Sequence, residues 1–498
     1  MNVNPITRLD YPDPDVIRVE DTYYMVSTTM HFMPGCEILQ SFDLVHWEHA
    51  TYVYETLDHT DAQQLKSGHN IYGQGMWAAS LRYHEGRFYI CFVANDTRKT
   101  YLYTSEKIDG PWKKQLIEGF YHDGSLLFDE DGRNYIVYGN DEIWITELNE
   151  DLTAPKKDGL HRLLVSDHKN PELGYEGSHI QKINGYYYIF LVHSLRDRWM
   201  RTEACFYSDS LEGEFTGGDV LCDDRGYCGQ GVAQGGIVDT PDGKWYAMLF
   251  QDSGAVGRIP ILVPVTWKDH FPVFGQNGHV PEEIEVHSTR PGYIYQPLVG
   301  SDDFCNGLLP RWQFNHDPDP RYYHLDALQG TYTITTREVC TELTQAVNTL
   351  TQRMSYPSCA AEVTVDASAL KEGDVAGLCA LQSCYAAVGI TKHHGKYEVL
   401  MLDKKEDGIL DMTERTVVES HQMDFRLEAD FCNMKDEARC YYRVNKGDWL
   451  PIGTVHKLYF KLDHFTGCRF GLFCYAAEET GGSACFRDFK YYDVDEIS

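Results

Sequence analysis

Hydrophobic positions in this chain fall in short alternating or aromatic-rich runs, many closed by Asp-Gly, Asn-Gly or Glu-Gly turns. The 3.6-residue period of a long amphipathic helix is almost absent. This is the pattern of an all-β chain. Over the first 300 residues one unit returns: a polar or aromatic leading residue, an apolar strand, a tight polar turn and an aromatic strand. Its copies run from Asp13 to Tyr24, Trp77 to Phe88, Asp123 to Tyr135, Glu176 to Tyr187 and Gln234 to Trp245. Five copies spaced by roughly 46 to 64 residues predict a five-bladed β-propeller, because a four-stranded blade buries its faces only against its neighbours. A second register agrees. Strands ending in serine, such as Tyr101 to Ser105 and Ala204 to Ser208, run into turns that close on Trp112 and Phe215.

The repeat ends near Trp267, and a Pro- and Gly-rich connection follows. From 301 to 498 no sixth copy appears. New β runs, among them 360–365, 469–475 and 486–492, predict a two-sheet sandwich. The expected organisation is therefore a propeller over 1–300 and a sandwich over 301–498.

The formal net charge of -31, with no basic stripe, argues against nucleic acid and anionic membrane surfaces as partners. No signal peptide or spanning segment is visible. The fifteen cysteines are scattered and lack paired metal-ligand spacing. They read as reduced core thiols, which places the expected protein in the cytoplasm.

In a propeller the five leading residues would meet at one end of the axis. Three of them, Asp13, Asp123 and Glu176, are acids, a poor choice for packing. Cleaving a glycosidic bond needs one carboxylic acid to protonate the leaving oxygen and one carboxylate on the opposite face of the sugar. Asp13 and Glu176 form the natural pair, and Asp123 supplies a nearby charge that would keep the acid protonated. Pro12 and Pro14 fix the backbone on either side of Asp13.

The chain resembles glycoside hydrolase family 43, five-bladed propellers that include β-xylosidases and α-L-arabinofuranosidases. The resemblance rests on Asn4-Pro5-Ile6, Tyr11-Pro12-Asp13-Pro14-Asp15, Pro34-Gly35, Trp77-Ala78, Asp123-Gly124-Ser125-Leu126, Glu176-Gly177-Ser178-His179 and Gly257-Arg258. It implies that Asp13 is the general base, Asp123 the residue that tunes and orients the acid, and Glu176 the general acid. Inversion would set base and acid roughly 6.5 to 9.5 Å apart. It also implies that Arg258 binds sugar hydroxyls. Trp77 and Phe32 are expected as stacking walls, and His179 as a substrate-side residue that steadies Glu176 or its loop.

Many relatives carry a histidine near the axis, often with calcium, where this chain has Gln234. Its carbonyl could serve a hard cation, so Gln234 is the expected metal contact if Ca2+ binds, although no cofactor is required for the chemistry. The long segment from Asp58 to Gly75 is expected to wall off the pocket and enforce exo action. The expected substrate is an arabinose- or xylose-containing oligosaccharide. A non-catalytic glycan-binding propeller and an endo-arabinanase are the competing readings. The sequence leaves the oligomeric state open.

Overall fold

A computed structural model describes residues 2–461 and 464–493. The last residues of the expected second domain, 494–498, lie outside the described part. Five four- or five-stranded antiparallel sheets make the propeller. Their innermost strands are Asp15–Val19, Met76–His84, Ser125–Phe128, Glu176–Ile183 and Ile237–Asp239. Each turns back into the next strand of its blade, and two of these turns show why the hairpins are so tight. Glu85-Gly86 and Asn184-Gly185 have positive φ at both positions, the geometry whose twist matches that of the flanking strands.

The apolar residues alternate so that each blade offers both faces to its neighbours. A separate buried cluster fills each of the five interfaces, from Val26, Ile38, Leu81 and Ile90 between the first two blades to Val16, Met25, Tyr246 and Met248 between the last and the first. The ring closes without a shared blade. Instead the Asn4 side chain inserts beside the fifth sheet, donating to the Leu262 carbonyl at 2.8 Å and accepting from the Leu262 N–H at 3.1 Å.

The sandwich packs a seven-stranded sheet on an eight-stranded one around Trp312, Phe425, Phe470 and Phe486. Two features bind it to the propeller. The propeller strand Phe32–Met33 is the edge strand of the eight-stranded sheet, pairing with Gln313–Asn315. Ala255, Val256 and Ile259 of the fifth blade belong to the sandwich core itself. No helix among the described residues is long and apolar enough to cross a membrane.

Candidate active site

At the head of each innermost strand one residue takes a left-handed backbone: Asp13 (φ 52°), Ala78 (34°), Asp123 (48°), Gly177 (65°) and Gln234 (66°). Two residues further on, Asp15, Ser80, Ser125, His179 and Gly236 share a second phase. They knit neighbouring blades together: the Leu81 N–H donates to Asp15 Oδ2 (2.7 Å), the Leu126 N–H to Ser80 Oγ (3.1 Å) and the Ile180 N–H to Ser125 Oγ (3.0 Å). The five leading residues of the sequence repeat are therefore not at one phase. Trp77 and Glu176 stand one residue ahead, and in both blades the pairing register shifts just after them. The extra residue of a bulge re-aims the side chain.

Asp13, Trp77, Asp123, Glu176, Gln234 and Arg258 all border one cavity of about 210 Å3. Asp13 is buried, and its carboxylate is held from three sides. Thr28 Oγ1 donates to Oδ2 at 2.6 Å, while Arg258 Nη1 (2.7 Å) and Gln234 Nε2 (3.1 Å) donate to Oδ1. Those donors fix the direction of the free lone pairs, which is what a base that orients one water requires. Asp123 Oδ2 accepts the Gly177 N–H at 3.0 Å, so the glycine after Glu176 is tied to Asp123. Glu176 Oε2 accepts from Asn140 Nδ2 at 2.9 Å.

His122 stands between the two acids. Its Nε2 lies 3.5 Å from Asp123 Oδ2 and 3.6 Å from Glu176 Oε2. The charge of Asp123 is the main reason the imidazole is pushed up to about 9; burial opposes this, and Glu176 adds to it. Burial pushes Asp123 up to about 6 against the pull of His122, with Glu176 and Asp13 adding to the rise. Burial also works to raise Glu176, but His122, Arg201 and Arg258 outweigh it and hold the carboxyl below its usual range. One proton shared by a coupled group can rest on any member. An imidazolium beside two carboxylates carries the same net charge as a neutral imidazole, one carboxylate and one protonated Glu176.

The ligand atoms of His122, Asp123 and Glu176 all lie within 4.8 Å of one another, close enough to hold a metal ion. A cation there would occupy the lone pair that an acid must use to carry its proton, so the arrangement fits proton sharing better. Gln234 does not make a cation site. Its amide nitrogen is turned to Asp13 and its backbone N–H donates to Glu203 Oε2 at 2.7 Å. The calcium expected there finds no support, and hydrolysis by two carboxylates needs no cofactor.

Three other expectations are corrected. Phe32 is not a wall of the cavity: it is fully buried at the junction with the sandwich, its ring 3.5 Å from the Arg469 guanidinium carbon. Its place in a sheet edge, not in a loop, takes it away from the axis. His179 lies two residues past the left-handed position of its blade, and its Nδ1 pairs with Asp15 Oδ1 at 3.1 Å, so it braces the axis and not Glu176. The segment from Asp58 to Gly75 does not border the cavity. It docks on the sandwich, where the Ile71 N–H donates to His316 Nε2 (3.0 Å) and Tyr72 Oη to the Thr344 carbonyl (2.9 Å).

What closes the cavity instead is Phe465, from the sandwich. Its ring meets Trp77 edge-on at 5.2 Å and lies 3.9 Å from the Arg258 guanidinium carbon. Asn140, Leu173, Trp199 and Arg201 complete the lining. The sequence reading missed these residues along with His122. For His122 the signal was its position beside Asp123, whereas Phe465, nearly three hundred positions beyond Glu176 and outside the repeat, offered none.

The profile of the glycosyl hydrolases family 43 matches residues 3–272, and that of the β-xylosidase C-terminal concanavalin A-like domain matches 301–492. A β-xylosidase of Formosa agariphila is 27% identical over 99% of this chain and 89% of its own length. Among solved structures, a bifunctional GH43-CE protein of Bacteroides eggerthii is 42% identical with a TM-score of 0.92. The match covers 99% of this chain and spans 64% of that longer protein. A GH43 glycoside hydrolase whose engineered form displays both endo-xylanase and exo-arabinofuranosidase activity is 27% identical, with a TM-score of 0.87 over 99% of both chains. Three carboxylates around one cavity at the propeller axis, a sandwich that closes it and a profile spanning more than half the chain lead to one conclusion: the protein is a glycoside hydrolase and belongs to family 43.

Proposed function

We propose that the enzyme removes single terminal α-L-arabinofuranosyl or β-D-xylosyl units from hemicellulose-derived oligosaccharides, with inversion. The observation that carries this reading is the cavity of about 210 Å3 in which Asp13, Asp123 and Glu176 meet beneath Trp77 and Phe465. It is small beside the roughly 300 to 1,000 Å3 of most ligand pockets, so it suits one sugar ring better than a chain. The name of the Formosa relative supports xylosides, and the exo-arabinofuranosidase activity of the engineered relative supports arabinofuranosides. Arabinofuranoside is the first substrate to test. The free thiols, most of them buried, support a reducing, cytoplasmic setting.

In this reading Asp13 takes a proton from water held against the anomeric carbon, and Glu176 gives one to the departing oxygen. Arg258 holds Asp13 in place. His122 stores the proton for Glu176 between turnovers, and Asp123 makes that storage favourable. Trp77 and Phe465 exclude water from the back of the ring.

The test is release of nitrophenol from the α-L-arabinofuranoside and the β-D-xyloside by wild type, Glu176→Gln and Asp13→Asn. Wild type should turn over at least one, with the first sugar product seen by proton NMR in the opposite anomeric configuration. Tight binding of the glycoside by wild type without turnover would instead make the protein a glycan-binding propeller. Oligomeric products from a long arabinan would make it an endo-enzyme.

A further inference from the structure

Arg201 borders the cavity, and hydrolysis by Asp13 and Glu176 assigns it no contact with the sugar. It opens the third strand of the fourth blade, and its side chain is 2% exposed. Its Nε donates to Asp252 Oδ2 at 3.0 Å, and its guanidinium carbon lies 5.3 Å from the ring centres of both Trp199 and Phe250. Yet Nη1 is buried with no hydrogen-bond partner in the protein, and the residue itself borders the cavity. An unpaired N–H of a buried cation costs folding free energy, so a site that keeps one is open to a partner from outside.

The neighbouring charges say what that partner is. Asp13, Asp123 and Glu176 border the same cavity and would repel a carboxylate or phosphate on the ligand. A neutral oxygen with a free lone pair meets no such penalty. Asp252 also reaches Arg258 Nε, at 3.2 Å from Oδ1, and Arg258 Nη1 holds Asp13 at 2.7 Å. A continuous buried chain of ion pairs thus joins Arg201 to the general base.

We infer that the Arg201 guanidinium donates to a hydroxyl of the terminal sugar and so determines which pentosyl unit is accepted. The inference rests on the exo-glycosidase reading above. Because the chain of ion pairs ends at Asp13, the contact places the sugar relative to the base, and its loss lowers kcat as well as raising KM.

The experiment is a cycle of enzyme against substrate. Arg201→Met and wild type are compared on the nitrophenyl glycoside that wild type prefers and on its monodeoxy analogues. On the parent glycoside the variant should lose about 10- to 100-fold in kcat/KM, as expected for a hydrogen bond from a charged donor. On the one analogue that lacks the contacted hydroxyl, wild type and variant should agree to within about threefold, because each change removes the same contact. An equal loss on every analogue would show that Arg201 only supports the fold of the pocket and would overturn the inference. If Arg201→Met does not fold, the same cycle with Arg201→Lys decides, since lysine keeps the charge but not the forked geometry. Failure of wild type to cleave any glycoside would overturn the exo-glycosidase reading and this inference with it. Turnover by wild type with a uniform loss in the variant would overturn this inference alone.

Discussion

Asp13 and Glu176 illustrate how two acids in one cavity are given different work by their neighbours. Asp13 is held by an arginine, a threonine and a glutamine, whereas Glu176 faces a histidine and an asparagine. Glu176→Gln should lower kcat on a natural oligosaccharide by about 100- to 10,000-fold, the range of general acid catalysis, and much less on a nitrophenyl glycoside, whose leaving group needs little protonation. Steady-state rates on the two substrates check this; equal losses would remove Glu176 from the acid's role. For His122 the expected readout is the pH profile. With the imidazolium pushed up to about 9, the shared proton leaves only in alkali, so the alkaline limb of kcat/KM should lie near pH 9. In His122→Phe the proton is left to Asp123 and Glu176 alone, and that limb should move toward neutrality. A limb that does not move would assign the proton elsewhere. At this scale the acids were legible because carboxylates recurring in a repeat have no packing purpose. Phe32 and His179 were not, because a residue's place on a strand or beyond a bulge decides where it points, and neither is written in its identity.

At the level of elements, the repeat of strand and turn was visible to within a residue, and that residue mattered. The left-handed position is the phase the five blades share; it falls on the acid at Asp13 and Asp123 but one residue after Trp77 and Glu176, and a sequence period of varying length hides that slip of one. Gly177 shows the consequence. At φ 65° a Cβ would lie 2.7 Å from Gln234 Cγ, and the same residue donates its N–H to Asp123. Gly177→Ala should cost about 1–2 kcal/mol in left-handed backbone strain, seen as a lower Tm. By displacing Gln234 from Asp13, it should also lower kcat/KM by more than that instability explains. An alanine variant with wild-type kinetics would show that Gln234 does not help to set the base. The 58–75 segment was misread for a different reason. Its Gly-, His- and Gln-rich composition marks a long loop, but which surface a loop covers depends on partners such as His316 and Thr344 that lie more than two hundred residues away.

Across the whole molecule, the junction of the two domains is where burial and charge conflict most. His31, His316 and Tyr72 pack there ring against ring, with His464 beside them. Burial, aided by the nearby His464, brings His316 down to about 3, so the folded protein holds it neutral. The unfolded chain takes up that proton below about pH 6.5. Its contribution to stability is therefore complete above that pH and is lost progressively as pH falls toward 3. His316→Gln, which can still accept the Ile71 N–H, removes the loss. The Tm of wild type relative to the variant should fall between pH 7 and pH 4, and a constant difference would refute the assignment. The two architectures were readable in the sequence because periodicity is local, but their junction was not.

The reciprocal exchange at that junction, Phe32–Met33 given to the sandwich sheet and Phe465 given to the sugar cavity, has a consequence for modularity. A chain ending at residue 300 would expose Phe32, Val256 and Ile259 and leave an unpaired edge, a surface prone to aggregation. Expressed side by side with the intact chain, it should be recovered with less soluble protein or none of the glycosidase activity. Neither half can be lent to another enzyme as a spare part: recombination that separates them would dismantle both a fold and a binding site, so the two must be inherited together.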